Sequence, residues 1–139
     1  MKEQYIDAVI IIKALTDNPK VPEENEKCRE LITEMYYGKM RLRTSGTTIC
    51  EIEKVLGRTF KQSREKIAAI LSDLVDCEDL KIRDKFLVKR AIEIYESASR
   101  PLPLADCYIV ADCEMSELTE LLSYDNDFDQ FEQIKRIKP

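Results

Sequence analysis

Five acidic residues lie where predicted strands end or predicted helices begin, and acids in such positions can act together. They are Asp7, Glu51, Asp106, Asp125 and Asp127. In an open parallel α/β sheet, ligands bind outside the carboxyl ends of the strands, where residues from distant parts of the chain meet. The sequence therefore predicts that these five carboxylates converge at one edge of a sheet.

Converging carboxylates repel one another, so some would have to remain protonated at neutral pH unless a cation relieved the repulsion. Oxygen ligands in a chain that has no histidine suit Mg²⁺ or Mn²⁺ better than zinc. Magnesium usually takes one or two protein carboxylates and completes its shell with water and substrate phosphate oxygens. These ligand preferences favour hydrolysis of a phosphodiester through water activated by a divalent cation.

Each acid also has a purely local interpretation. Glu51 could complete a capping box with Thr48, and Asp106 could complement the dipole at the start of its helix. Asp125 and Asp127 could be turn residues, whereas Asp129 is predicted to be the solvated start of a last short helix. Asp106 is the sharpest candidate because an uncompensated carboxylate in its apolar helix would be costly.

Length and composition predict one compact domain over residues 1–139, with 44% hydrophobic and 35% charged residues. The net charge of −5 argues against a generic polyanion binder. However, once the five acids are set aside, the remaining acidic residues equal the 22 lysines and arginines in number, so RNA is not excluded. Five scattered cysteines predict buried reduced thiols rather than a zinc site.

The elements that would position the acids alternate between strand and helix. Predicted strands are Gln4–Asp7, Met40–Thr44, Leu80–Ile82, Thr119–Tyr124 and Ile134–Ile137. Predicted helices are Ala8–Leu15, Pro22–Tyr37, Thr48–Leu56, one capped by Ser63, one from Asp84 to about Ser97, and Leu104–Cys113. This alternation predicts an α/β fold with a parallel sheet sandwiched between helices.

Four short motifs together resemble the PIN domain family, most closely the VapC-like toxin ribonucleases of toxin–antitoxin systems. They are Tyr5-Ile6-Asp7 entering an apolar helix, Thr48–Leu56 (TICEIEKVL), Ala105–Ala111 (ADCYIVA) and Ser123–Phe128 (SYDNDF). The resemblance implies a three-layer α/β/α sandwich with a five-stranded parallel sheet in the order 3-2-1-4-5. It also implies a Mg²⁺- or Mn²⁺-dependent endoribonuclease, usually a homodimer, that a small antitoxin inhibits.

By the same resemblance, the catalytic acids are Asp7, Glu51, Asp106 and Asp125, and the metal ligands are Asp7, Asp106, Asp125 and Asp127. Ser123 matches a small hydroxyl residue that supports the site. Val9 is a departure, because many relatives have Asn or Ser two residues after the first aspartate, and this position could weaken hydrogen bonding around a metal.

Candidate RNA-binding residues are Lys13, Arg41 and Arg43, although a solvated charged face would also account for them. Two other functions stay open: an inactive PIN-like module that binds protein or RNA, and a phosphoacceptor receiver domain. The receiver interpretation is weak because Lys138-Pro139 leaves no room for a final helix. The N-terminal apolar run is too short for a signal peptide or membrane span, so a cytoplasmic location is expected.

Overall fold

The structure is a computed structural model that describes residues 2–139; Met1 lies outside the described residues. The chain divides into two compact units, the first ending at Lys85 and the second running from Phe86 to Pro139. Each unit contains parallel strands and helices, and each carries part of the predicted acidic set. The prediction of a single domain stays a prediction.

The first unit alternates strands with pairs of helices. Its elements are β1 (Glu3–Tyr5), α1 (Ala8–Leu15), α2 (Pro22–Tyr36), β2 (Arg41–Thr44), α3 (Gly46–Arg58), α4 (Arg64–Asp76) and β3 (Leu80–Ile82). The three strands form a parallel sheet with β2 in the middle, in the register Tyr5 to Arg43 and Arg43 to Lys81. Parallel pairing follows from the helical crossovers between successive strands.

One face of this sheet forms the core and the other does not. Leu42, Leu80 and Ile82 are buried on the inner face, as is Thr44, whose hydroxyl donates to the Ile6 carbonyl at 3.1 Å. The residues between them on the same strands, such as Arg43, point to the outer face, because successive side chains of a strand point to opposite faces of the sheet. The period of two in β2 therefore separates apolar from basic residues as the sequence predicts.

The second unit contains the remaining elements of the alternation. These are α5 (Lys85–Ser97, which begins at the boundary), α6 (Leu104–Met115), β4 (Glu120–Leu122), a 3-10 helix (Asn126–Gln130) and β5 (Lys135–Ile137). Strands β4 and β5 pair in parallel. The described strands thus form sheets of three and two strands, so the predicted order 3-2-1-4-5 is matched only within each part.

A charged network holds α5 against α6 within the second unit. Arg90 donates to Glu114 twice, from Nε to Oε2 at 2.7 Å and from Nη2 to Oε1 at 3.0 Å. Gln133 donates to the same Oε1 at 2.8 Å. Hydrogen bonding from Arg90 lowers the pKa of Glu114, and the bidentate geometry fixes the helix that carries Asp106.

The five cysteines are all free thiols, as predicted. Cys28, Cys107 and Cys113 are buried, while Cys50 and Cys77 are partly buried. Burial raises the pKa of the Cys50 thiol to about 11, with a further contribution from the charge of Glu53. Burial therefore makes the Cys50 thiol a poor nucleophile.

Candidate active site

Asp106 lies in the first turn of α6, directly after the helix starts at Leu104. Its side chain is half-buried, and Leu104, Cys107 and Val110 around it are fully buried. Burial raises the pKa of the Asp106 carboxyl, and the negative charges of Asp125 and Asp127 raise it further. The structure therefore places three predicted acids of the second unit, Asp106, Asp125 and Asp127, close enough for their charges to interact.

Asp125 and Asp127 are held by a short chain of local hydrogen bonds. Asp125 caps the 3-10 helix, because its Oδ1 accepts from the backbone N–H of Asp127 at 2.9 Å. The Ser123 hydroxyl oxygen accepts from the Asp125 backbone N–H at 3.0 Å. The predicted supporting residue Ser123 is thus placed to position Asp125. Its contact is to the backbone of Asp125, which makes it a positioning residue.

Two residues that the sequence did not single out fix the same segment. The Gln130 Oε1 atom accepts from Ser99 Oγ at 3.1 Å and from the Arg100 backbone N–H at 3.0 Å. Its Nε2 atom donates to the carbonyls of Asp127 at 2.9 Å and Arg100 at 3.3 Å. The Arg100 guanidinium also donates to the Asn126 carbonyl at 3.0 Å and lies 3.9 Å from the Asp127 carboxylate. The connection before α6 and the acidic 3-10 helix are therefore tied together by one amide and one guanidinium.

For the predicted ribonuclease activity, Gln130→Ala is expected to lower kcat/KM about 10-fold or more, the size of effect that loss of a residue orienting a metal ligand has. The comparison variant Gln130→Glu keeps both acceptor bonds but cannot donate to the Asp127 and Arg100 carbonyls. It should therefore also lower kcat/KM, because a carboxylate oxygen would face those two carbonyl oxygens with no hydrogen between them. Equal kcat/KM for all three proteins at matched Tm would contradict the positioning role.

Asp129 is exposed, as predicted, but its position in the helix differs from the prediction. It lies inside the 3-10 helix and not at its start, and it receives two bonds from Arg136, at 2.8 Å from Nε and 3.0 Å from Nη2. The pKa of Asp129 is lowered, first by the hydrogen bond from Arg136 and then by its charge. Asp129 is an ion-pair partner that links the 3-10 helix to β5, and it stays outside the acidic set.

Asp7 belongs to the first unit, at the junction between β1 and α1. It is the N-cap of α1, and its Oδ1 accepts from the Val9 backbone N–H at 3.3 Å. The departure at Val9 therefore leaves this backbone bond in place, because a side chain is not needed for it. A carboxylate has two oxygens with several lone pairs, so one capping bond does not exclude metal binding.

Glu51 is an exposed residue in the middle of α3, and its predicted capping box is wrong. The helix begins at Gly46, two residues before the predicted start at Thr48, because Ser45 caps it by accepting from the Thr48 backbone N–H at 3.4 Å. Thr48 lies inside the helix, so Glu51 has no capping role there. Glu51 instead lines an open groove of about 450 Å³ together with Val9 and Lys13.

The candidate RNA-binding cations are all close to acids. Lys13 pairs with Glu24, Arg43 Nε lies 2.8 Å from Glu3, and Arg41 Nε lies 3.8 Å from Asp79. Exposed ion pairs of this kind are screened by water and are easily broken. They therefore leave the cations able to exchange a carboxylate for a phosphate.

The donors in this chain suit a hard divalent cation. Among residues 2–139, no three or more His, Cys, Asp or Glu side chains are grouped to hold a metal ion by themselves. Mg²⁺ does not require such a group, because one or two carboxylates commonly suffice when water and phosphate oxygens complete the shell. The raised pKa of Asp106 also suits a cation site, because a bound cation would relieve the repulsion of the Asp106 carboxylate by Asp125 and Asp127.

A match to a protein-family model identifies the family and fold of this chain. The model of the PIN domain matches residues 5–134, which span both units and all five candidate acids. The chain belongs to the PIN domain family. PIN domains are generally metal-dependent nucleases that act on RNA, so the phosphodiester chemistry predicted from the carboxylates agrees with the family. No curated protein matches this PIN domain significantly.

None of the helices within residues 2–139 combines the length and the apolar character needed to cross a bilayer.

Proposed function

We propose that this PIN domain is a Mg²⁺- or Mn²⁺-dependent endoribonuclease that hydrolyses RNA phosphodiesters. The observation that carries the proposal is the acidic group on α6 and the 3-10 helix. There burial raises the pKa of Asp106, and repulsion from Asp125 and Asp127 raises it further. Such perturbation of a carboxyl group by burial and like charge is a common property of functional sites.

The proposed metal ligands are Asp7, Asp106, Asp125 and Asp127, and the proposed catalytic acids are Asp7, Glu51, Asp106 and Asp125. A bound divalent cation supplies Lewis-acid chemistry for phosphodiester hydrolysis. The protein holds the acids ready: α6 presents Asp106, and the bonds from Ser123, Gln130 and Arg100 fix the segment around Asp125 and Asp127. Asp7 is fixed by its capping bond to the Val9 backbone.

RNA is proposed to contact Arg41 and Arg43 on β2 and Lys13 on α1. The two arginines are the stronger candidates, because they lie on an outer sheet face. Lys13 lines the groove beside Glu51 and is occupied by Glu24, whose hydrogen bond raises the pKa of the lysine. Phosphate must displace that carboxylate before Lys13 can bind RNA.

The finer assignment is a VapC-like cytoplasmic toxin that forms a homodimer and is inhibited by a small antitoxin. Its support is the spacing of the four motifs around Asp7, Glu51, Asp106 and Asp125. Expression of the chain in a bacterial host tests it: growth should stop, and Asp106→Asn should restore growth. Normal growth despite abundant soluble wild-type protein would count against the toxin assignment.

A second candidate is an inactive PIN domain that binds RNA or protein without cutting. The observation that favours it is Val9, an exposed apolar side chain two residues after Asp7 where many relatives have a polar one. Val9→Asn would restore a polar side chain there. A gain of cleavage in this variant over an inactive wild type would support the second candidate.

Metal titration tests the leading proposal directly. Purified protein should not cut a pool of structured RNAs in excess chelator, and cleavage should rise to saturation as Mg²⁺ or Mn²⁺ is added. The reason is that the acids repel one another and the substrate unless a cation is present. Thermal unfolding with Mn²⁺ provides a readout that does not depend on turnover, because a ligand of the folded state raises Tm. Strong cleavage in excess chelator would refute the metal-dependent mechanism.

A further inference from the structure

The outer face of the three-stranded sheet carries charged and aromatic side chains. Tyr5, Arg41, Arg43 and Lys81 occupy this face, which is called the cationic face here. Glu3 shares it, as shown by its 2.8 Å bond with Arg43. Parallel sheets normally bury both faces under helices, so a polar face on such a sheet requires an explanation.

The strand register arranges these residues in two rows across the sheet. Tyr5 pairs with Arg43 and Arg43 with Lys81, which gives a row of one aromatic and two cations. Neighbouring strands lie about 4.8 Å apart, so the row spans roughly 10 Å. The preceding row contains Glu3 opposite Arg41, and Asp79 lies 3.8 Å from Arg41. The acids therefore lie in the row at the amino ends of the strands, and the row nearer their carboxyl ends holds none.

The exposure and charge of the face point to a polar ligand. The Tyr5 side chain is 64% exposed, although tyrosine is a large and largely apolar residue. Burying Arg41, Arg43 and Lys81 under an apolar layer would be costly, because charged groups lose their hydration there, and the pairs of Arg41 with Asp79 and of Arg43 with Glu3 compensate only part of that cost. On a chain with a net charge of −5, this face is a local excess of positive charge.

We propose that the cationic face binds single-stranded RNA, with a base stacked on the Tyr5 ring and phosphates held by Arg43 and Lys81. This inference rests on the proposed function and gives it a substrate path, since Asp7 follows Tyr5 by two residues on the same strand end. Aromatic platforms combined with cations bind single strands with little sequence preference, because every base can stack. The two arginines already proposed as RNA contacts thus become part of a surface that also requires Tyr5 and Lys81.

Anisotropy of a fluorescently labelled single-stranded RNA in excess chelator tests the proposal. Without a cation the acids repel RNA, so the measured affinity reports the cationic face. Tyr5→Ala should weaken binding about 5-fold or more, as the loss of one stacked base does. Tyr5→Phe should bind like the wild type, because the ring remains. Lys81→Ala should weaken binding and reduce the slope of log affinity against log salt by about 0.7, the value for one phosphate contact in a single strand.

Lys27→Ala is the matched control, because Lys27 is an exposed lysine on α2 and lies outside the face. It should leave both affinity and salt slope unchanged. Unchanged binding in Tyr5→Ala and Lys81→Ala would overturn the proposal, as would an equal loss in Lys27→Ala. A change in sedimentation of the face variants with unchanged RNA affinity would overturn it too, and would identify the face as a protein interface.

Cleavage assays with metal separate this inference from the proposed function. If the face variants bind and cut RNA like the wild type, the cationic face is refuted and the nuclease proposal stands. If the wild type binds RNA through the face but never cuts it with any metal, the nuclease proposal fails and the cationic face stands.

Discussion

Asp106→Asn is expected to reduce RNA cleavage by at least about 100-fold, the upper end of the effect of losing a partner of a metal ligand. The variant should fold, because Asn has nearly the same shape and Asp106 lies in the first turn of α6 rather than in its interior. A direct ligand should matter at least as much as its supporting residues. The measurement is kcat/KM on a defined RNA at saturating Mg²⁺.

Stability should change in the opposite direction in the absence of metal. The pKa of Asp106 is raised in the folded protein by burial and by the charges of Asp125 and Asp127. The folded state therefore holds its proton to a higher pH than the unfolded state, and the wild type loses stability as pH rises between the two pKa values. Asp106→Asn avoids this loss, so its Tm at pH 7 should equal or exceed that of the wild type. The difference should vanish below the unfolded pKa of about 3.9.

Asp112→Asn is the control for this pair of results. Asp112 is an exposed aspartate on the same helix that accepts a hydrogen bond from Ser116. It should leave cleavage unchanged and should not alter the rise of Tm with Mn²⁺, whereas Asp106→Asn should reduce that rise. Normal cleavage by Asp106→Asn, or its failure to fold, would show that the role assigned to Asp106 is wrong.

Phe128→Ala is expected to destabilise the protein by about 3–5 kcal/mol, the usual cost of removing a buried phenyl ring. Phe128 is buried at 4% exposure and lies directly after Asp127, so its ring anchors the 3-10 helix that carries two of the proposed metal ligands. Its backbone N–H also bonds to the Asp125 carbonyl at 3.4 Å. We expect Tm to fall by roughly 10 °C or more, and Mn²⁺ to bind more weakly at temperatures where the variant is still folded.

Phe86→Ala provides the comparison within the same unit. Its ring is 78% exposed at the start of α5, and surface substitutions usually change stability by less than about 0.5 kcal/mol. Denaturant unfolding of both variants measures the two free energies. Similar losses for Phe128→Ala and Phe86→Ala would mean that the 3-10 helix is not anchored through its buried ring.

The sequence was sufficient for most of the elements, because their signals are local. Ala8–Leu15 and Leu80–Ile82 have the predicted bounds, and Ser63 caps α4 by accepting from the Lys66 backbone N–H at 3.2 Å. The start of α3 was misplaced because Ser45 and Thr48 are both good caps, and only the extended backbone at Ser45 decides between them. Strand partners depend on distant residues, which is why the arrangement in two sheets was not predicted.

The acidic residues could be proposed from the sequence, but the residues that contact them could not. Carboxylates in apolar or strand-end contexts, such as Asp106 and Asp7, stand out by type and position. Gln130 and Arg100 are ordinary surface residue types. Nothing in the local sequence indicates that the Gln130 side chain bonds to Arg100, which lies 30 residues earlier in the chain. Their role follows only from the three-dimensional path of the chain.

Asp7 and Asp125 each perform a structural task at the residue where chemistry is proposed, since both accept a backbone N–H at the start of a helix. Asparagine and serine can perform that task without a negative charge. A homologue without the proposed activity could therefore lose the charge at both positions and keep its architecture. Such homologues should carry asparagine or serine there far more often than alanine or leucine.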